Sequence, residues 1–193
     1  MILSNPYAGP RRPGTVGTPL PGVSVRIVDE GGRPLAPGGE GELWVSGSNV
    51  FAGYWNAPEK TALSFRPDEL GRRWLSTGDL AREDPATGAI SLLGRRAELI
   101  LCGGLNVYPR EVEEALLACP GVREAAVVGR PDPEWGEVPI AFLVLAGPLD
   151  EAALTERLRA DLAAFKLPRA FHAVDALPRN ALGKVQKHLL PAG

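Results

Sequence analysis

The sequence predicts an α+β protein in two parts, a turn-rich β half followed by a half in which helices and strands alternate. Three observations predict it. Residues 1 to about 93 carry short runs of alternating apolar and polar residues, the period-2 pattern of half-buried strands. From residue 94 onward, helical apolar periodicity alternates with strand-like runs. The 23 Gly and 19 Pro are spread along the chain, which reads as many tight turns and not as one disordered linker.

Taken in order, "VSVRIV" (23–28) alternates, "DEGGRPL" turns, and "GELWVSG" (41–47) alternates again after the hairpin-like connector "APGGEG". "PEKTALSF" (58–65) opens with Pro and an early Glu, the signature of a short helix. "RRWLSTGDLA" and "AISLLG" return to strand character, so this half reads as a small β-barrel or sandwich. The boundary falls at "LLGRRAEL". Beyond it "AELIL" (97–101) is a strand, and "YPREVEEALLAC" is a helix with Pro109 and Glu111 in its first turn. "REAAVVG" and "PIAFLVL" are strands. "LDEAALTERLRADLAAF" is an amphipathic helix with Leu154, Leu158 and Leu162 on one face, "AFHAV" a strand and "KVQKHLL" a last short helix.

Composition narrows the partners. At 45% hydrophobic residues, the 193-residue chain can bury a core. A net charge of −2, without a basic block interleaved with aromatics, argues against nucleic acid. No run could span a bilayer, and "MILSNPYAGPRRPG" holds no apolar stretch of signal-peptide length. Cys102 and Cys119 form no CxxC pair and only two histidines are present, which disfavours Cys/His zinc ligation. A soluble cytoplasmic protein is expected.

Several stretches could carry chemistry. In "STGDL", Asp79 follows a Gly at the end of a strand; its two acceptor oxygens match a vicinal diol, although an Asx-type turn also accounts for it. Arg95 in "GRRAEL" can fork its donors onto hydroxyls or phosphate oxygens, or stand as a surface arginine. Gly103 and Gly104 allow a close backbone approach, or form a plain turn between strand and helix. In "PRNALGK", Pro178 and Gly183 hold Lys184 on a constrained turn, which alone reads equally as a solvated loop. "GTVGTPLPG" lacks the Lys-Ser/Thr ending of a phosphate loop and is read as a turn.

Together and in this order, "YW..PEKTA..F" (54–65), "STGDL", "GRRAELILCGGLNVYPREVEEAL", "GVREAAVVGRPDPEWGEVPIAFLV" and "LPRNALGKVQK" resemble the C-terminal portion of the adenylate-forming acyl-CoA synthetases, the AMP-binding enzyme superfamily. The resemblance covers essentially the whole chain. "SNPYAGPRRPGTVG", "NVFAGYWNAPEKTA" and "PRNALGKVQK" look most like the malonyl-CoA synthetase branch, ahead of carrier-protein adenylation domains.

The resemblance implies a small distorted β-barrel subdomain over 1–93, a hinge at 94–98 and a mobile α+β lid domain over 99–193. It implies ligation of malonate, or another short acid such as methylmalonate, to CoA at the expense of ATP, through an acyl-adenylate. Asp79 and Arg95 are then expected at the ribose, and Lys184 between carboxylate and α-phosphate. Gly104, helped by Gly103, is expected along the pantetheine path. Ala97 falls at the pivot, where relatives carry Asp or Lys. The family's phosphate loop, its Mg2+-assisting glutamate and its acyl pocket are expected upstream of these residues, so the chain alone is expected to be inactive and to need the N-terminal subdomains. A truncated binding or regulatory module, or self-association through an orphaned apolar face, is the alternative expectation.

Overall fold

The computed structural model describes residues 2–191. The described chain resolves into two compact units that meet in sequence between Ala97 and Glu98. Each is α+β or mainly β, as the two patterns of periodicity require.

In the first unit, β1 (Leu3–Ser4) and β2 (Thr18–Pro19) form a short antiparallel ribbon. β3 (Val23–Val28) and β4 (Glu40–Gly47) follow, paired from Val23↔Gly47 to Val28↔Glu42. Their connector turns at Gly32, whose φ of +77° and tight approach to Trp44 leave no space for a Cβ. Helix α1 (Pro58–Ser64) has Pro at its start and runs into β5 (Phe65–Pro67). The long β6 (Arg73–Glu83) and β7 (Ile90–Arg95) complete the unit. Ile27, Leu43, Val45, Ala81 and Ile90 form its core. Asp68 ties the β5–β6 turn: its carboxylate accepts from the Trp74 indole at 3.0 Å and from the backbone N–H groups of Leu70 and Arg72.

The expected barrel is not formed by these pairings. The sheet order is β3-β4-β6, and β6 divides its other edge between β5 on residues 73–75 and β7 on residues 79–83. Closure would need β3 to pair with β5 or β7, and among the described residues no such ladder exists. Instead the bridge Gly17↔Ile90 brings the chain just before β2 to the edge of β7. Alternation in the sequence specifies which face of each strand is buried, but not whether the outer edges meet.

The second unit begins at Glu98, within the 3₁₀ turn Arg96–Glu98, which occupies the start of the expected strand 97–101; β8 covers only Ile100–Cys102. Next come β9 (Leu105–Val107), α2 (Pro109–Leu117), β10 (Val122–Asp132) and β11 (Gly136–Leu145). Helix α3 (Glu151–Arg159) precedes the 3₁₀ turn Ala164–Lys166 and β12 (Ala170–Ala173). β11 lies at the centre, antiparallel to β10 and to β8, and parallel to β12. Its continuous apolar run fits a strand covered on both faces. Val112 and Leu116 of α2, and Leu154 and Leu158 of α3, enter the same core as Phe142 and Leu143.

Two helices are shorter than their periodicity predicts. Asp150 caps the N-terminus of α3 by accepting from the Ala153 N–H, but the helix stops at Arg159. Pro168 pushes Leu167 to an extended conformation, and the intervening residues fold back while keeping Leu162 buried. At the C-terminus Val185 bridges Arg179 and the Gln186 N–H bonds the Pro178 carbonyl, so only the 3₁₀ turn Lys187–Leu189 remains of the expected helix.

Candidate functional site

Asp79 is presented by a bulge. Between the pairs Glu42↔Leu80 and Trp44↔Ser76, Leu43 of β4 faces three residues of β6, Thr77, Gly78 and Asp79. Gly78, with φ +73°, supplies the left-handed residue the bulge needs. The Thr77 hydroxyl donates to the Leu43 carbonyl at 2.7 Å and accepts from the Asp79 N–H at 3.1 Å. On the other edge Asp79 is the cross-strand partner of Arg95. Arg95 Nε lies 2.9 Å from Asp79 Oδ1, and its Nη1 donates to the Thr77 carbonyl at 3.0 Å. The structure thus brings Asp79 and Arg95 together as a half-exposed pair on a fixed backbone.

Beneath the bulge sits Glu42, which strand periodicity alone does not single out. Its side chain is 9% exposed and accepts from the Ser76 hydroxyl, the Gly78 N–H at 3.2 Å and Arg96 Nη1 at 3.1 Å. A carboxylate in that position is tolerable because several donors surround it. A Glu within "GELWV" reads as a solvent-face residue until its partners from β6 and from Arg96 are known.

Gly103 and Gly104 join β8 to β9 as a two-residue hairpin turn, not a turn between strand and helix; the helix begins only at Pro109. Their φ values of +58° and +79° meet the demand of the primed hairpin turns for left-handed residues. The two glycines differ. Gly103 donates its N–H to the Trp135 carbonyl at 2.8 Å, and a Cβ there would meet the Trp135 ring at 2.8 Å. A Cβ on Gly104 would meet nothing within 4 Å, so that backbone edge is open to a ligand. A cavity of about 700 Å³ lies beside the turn, lined by Cys102, Trp135, Arg159, Phe165 and Arg169 among others. Burial pushes the Cys102 thiol up, which keeps it in the unreactive form.

Lys184 stands on a turn of its own. The Asn180 side chain accepts from the N–H groups of Leu182 and Lys184, and the Asn180 N–H donates to the Lys184 carbonyl at 2.9 Å. Gly183 has φ +80°. Arg179 donates to the Gly183 carbonyl at 2.6 Å and pairs with Glu124 of β10. The Lys184 side chain is exposed and has no ion pair among the described residues. Lys187, by contrast, is not the solvated lysine that its sequence context suggests. It is 19% exposed, with Nζ 2.8 Å from Glu98 and 2.7 Å from Glu113. Ala97 is exposed within the 3₁₀ turn.

Among the described residues no group of three or more His, Cys, Asp or Glu could hold a metal ion, and no helix is long and apolar enough to cross a membrane.

The chain belongs to the AMP-binding enzymes: the AMP-binding enzyme family matches residues 1–55, and the AMP-binding enzyme C-terminal domain matches residues 111–184. It is 45% identical to the 2-succinylbenzoate–CoA ligase of Bacillus velezensis over 92% of this chain and 35% of the relative. It is 43% identical to the sulfoacetate–CoA ligase of Cupriavidus necator over 96% of this chain and 36% of the relative. Among solved structures it resembles ATP-bound MatB from Rhodopseudomonas palustris, with a TM-score of 0.88, 46% identity, and coverage of 98% of this chain and 37% of that one. The chain therefore spans little more than a third of the proteins it matches.

Proposed function

We propose that the chain forms the C-terminal part of an ATP-dependent acyl-CoA synthetase. The reaction joins a carboxylate to the α-phosphate of ATP, releasing pyrophosphate, and the CoA thiol then displaces AMP. The observation that carries the reading is Lys184: an exposed ammonium on a braced turn, with no ion pair among the described residues. In adenylation it would stabilise the charge developing between the attacking carboxylate and the α-phosphate, where a fixed cation in a water-poor cleft acts strongly.

Asp79 would accept from the ribose hydroxyls, and Arg95, its cross-strand partner on β7, would reach the same ribose. In the second half-reaction Gly104, supported by Gly103, would flank the pantetheine arm. The open backbone of Gly104, with the arginine-bearing cavity nearby, supports that assignment. Ala97 would be the pivot on which residues 99–193 turn between the two steps. Mg2+ would be held, with the phosphates, by residues outside this chain, and the acid pocket would lie there too. Malonate is the first acid to test, on the wording of the three stretches that resemble the malonyl-CoA synthetase branch; the named relatives use other acids, so sulfoacetate and 2-succinylbenzoate belong in the same panel.

The test is ATP–pyrophosphate exchange by the native gene product with each acid, followed by CoA-dependent release of AMP. Exchange with one acid of the panel is expected; none with any acid would overturn the ligase reading. The 193-residue chain assayed alone should be inert, and exchange by it would overturn the dependence on other residues. A second reading, a binding module that docks on an N-terminal partner, draws on Tyr7, Trp55, Leu63 and Leu70, which are 71–99% exposed. Sedimentation showing only monomer, with no association with such a partner, would remove it.

A further inference from the structure

The residues on either side of Ala97 are each tied down within a different unit. Arg96 pairs with Glu42, which itself accepts from Ser76 and the Gly78 N–H, so Arg96 is fastened to β4 and β6. Glu98 pairs with Lys187 at 2.8 Å. Lys187 also holds Glu113 of α2 at 2.7 Å, and Glu113 accepts the Val127 N–H of β10 at 2.8 Å. Glu98 is thereby fastened to a helix, a strand and the C-terminal segment at once. The first set of bonds lies wholly within Met1–Ala97 and the second wholly within Glu98–Gly193.

We propose that Glu42 and Lys187 are positioning residues that confine the pivot to Ala97, by clamping Arg96 to one unit and Glu98 to the other. The inference rests on the pivot reading above and adds the residues that delimit it. Because neither clamp crosses the boundary, both can persist through a rotation, which leaves the backbone dihedrals around Ala97 to absorb the change. Alanine at the pivot adds no side-chain tether of its own. The clamps differ in exposure: the Arg96 guanidinium is 47% exposed, whereas the Lys187 side chain is 19% exposed between two carboxylates. Lys187 is then the stiffer of the two, since screening by solvent weakens the Arg96 pair more.

The experiment uses the full 193-residue chain and needs no turnover. Nitroxide labels are placed by Glu30→Cys and Glu156→Cys, both exposed positions, one in each unit. The native Cys102 and Cys119 are buried, and burial pushes both thiols up, so the labels go to the introduced cysteines. Pulsed electron paramagnetic resonance then reads the width of the inter-label distance distribution. Lys187→Gln is expected to widen it by roughly 1.5-fold and Arg96→Gln by less, as dihedral freedom spreads beyond one residue. Ala97→Pro is expected to narrow it, and Lys187→Gln added to Ala97→Pro to restore part of the width.

If both clamp variants keep the parent width while Ala97→Pro narrows it, the clamps are refuted and the pivot stands. If Ala97→Pro leaves the width unchanged, the pivot reading falls and the clamp proposal with it. Thermal unfolding of each variant accompanies the measurement. Should Lys187→Gln fail to fold, Arg96→Gln carries the same comparison alone, and a parent-like width there refutes the proposal.

Discussion

Asp79 and Arg95 are direct cross-strand partners, joined by a 2.9 Å contact between Oδ1 and Nε on the two strands that end the first unit. The pairing joins two residues, separated by a β-hairpin in sequence, into one fixed acid–base pair. Asp79→Asn should lower the efficiency of adenylation by about 10- to 100-fold through a raised KM for ATP, the scale of one lost charge-assisted hydrogen bond. Arg95→Gln should lose less, because the aspartate retains its acceptor oxygens. Steady-state exchange kinetics on both variants and the double variant measure the coupling.

Lys184→Ala should separate the half-reactions. Removal of a cation aimed at developing charge is expected to slow adenylation by about 100- to 1000-fold. Release of CoA thioester from a preformed acyl-adenylate should stay within a few-fold of the parent. Equal losses in both steps would show that the lysine does not act in adenylation alone.

The two glycines of the hairpin should behave differently. Gly103→Ala puts a methyl group against the Trp135 ring and forces alanine into a left-handed conformation, so its unfolding midpoint should drop the more. Gly104→Ala carries only the conformational cost, about 1–2 kcal/mol. If that open edge flanks the pantetheine arm, Gly104→Ala should slow thioester formation while leaving pyrophosphate exchange intact.

Asp68 should give the first unit an acid-sensitive turn. The hydrogen bond from the Trp74 indole holds its carboxyl below the usual range, joined by the backbone N–H groups of Arg72 and Leu70 and by Arg26. A lowered folded-state value favours the native protein at pH above the ordinary carboxylate range, and the benefit is lost as pH falls through the folded value. Asp68→Asn should therefore flatten the decline of stability as pH falls below the ordinary carboxylate range, as followed by Trp fluorescence in urea.

Much of this architecture was legible from local pattern. The strands at 23–28 and 40–47, the proline-initiated helices and the continuous apolar run of β11 all declare themselves through short-range periodicity. The open edge of the sheet, the premature end of α3 and the loss of the last helix did not, because each depends on distant partners: β5 and β7 sharing β6, Leu162 returning to the core, Val185 bridging Arg179. The site divides in the same way. Asp79, Arg95 and Lys184 stood out through motif order, and Gly103–Gly104 through composition. Glu42 and Lys187 looked like ordinary surface charges until residues 54 and 89 positions away supplied Arg96 and Glu98 as counterions.

The brace between Arg179 and Glu124 has a consequence for how exacting position 184 must be. With the Gly183 carbonyl held by Arg179, which pairs in turn with Glu124 of β10, the turn has less freedom to advance or withdraw its tip. The distance the cation can travel is then set by its own aliphatic stem, and tolerance at this position becomes a matter of single methylene lengths. Arginine would carry the same charge on a longer and more rigid stem, ending in a flat fork where the proposed role calls for a compact ammonium. Under the proposed role the loop would act as a gauge of the side chain it carries.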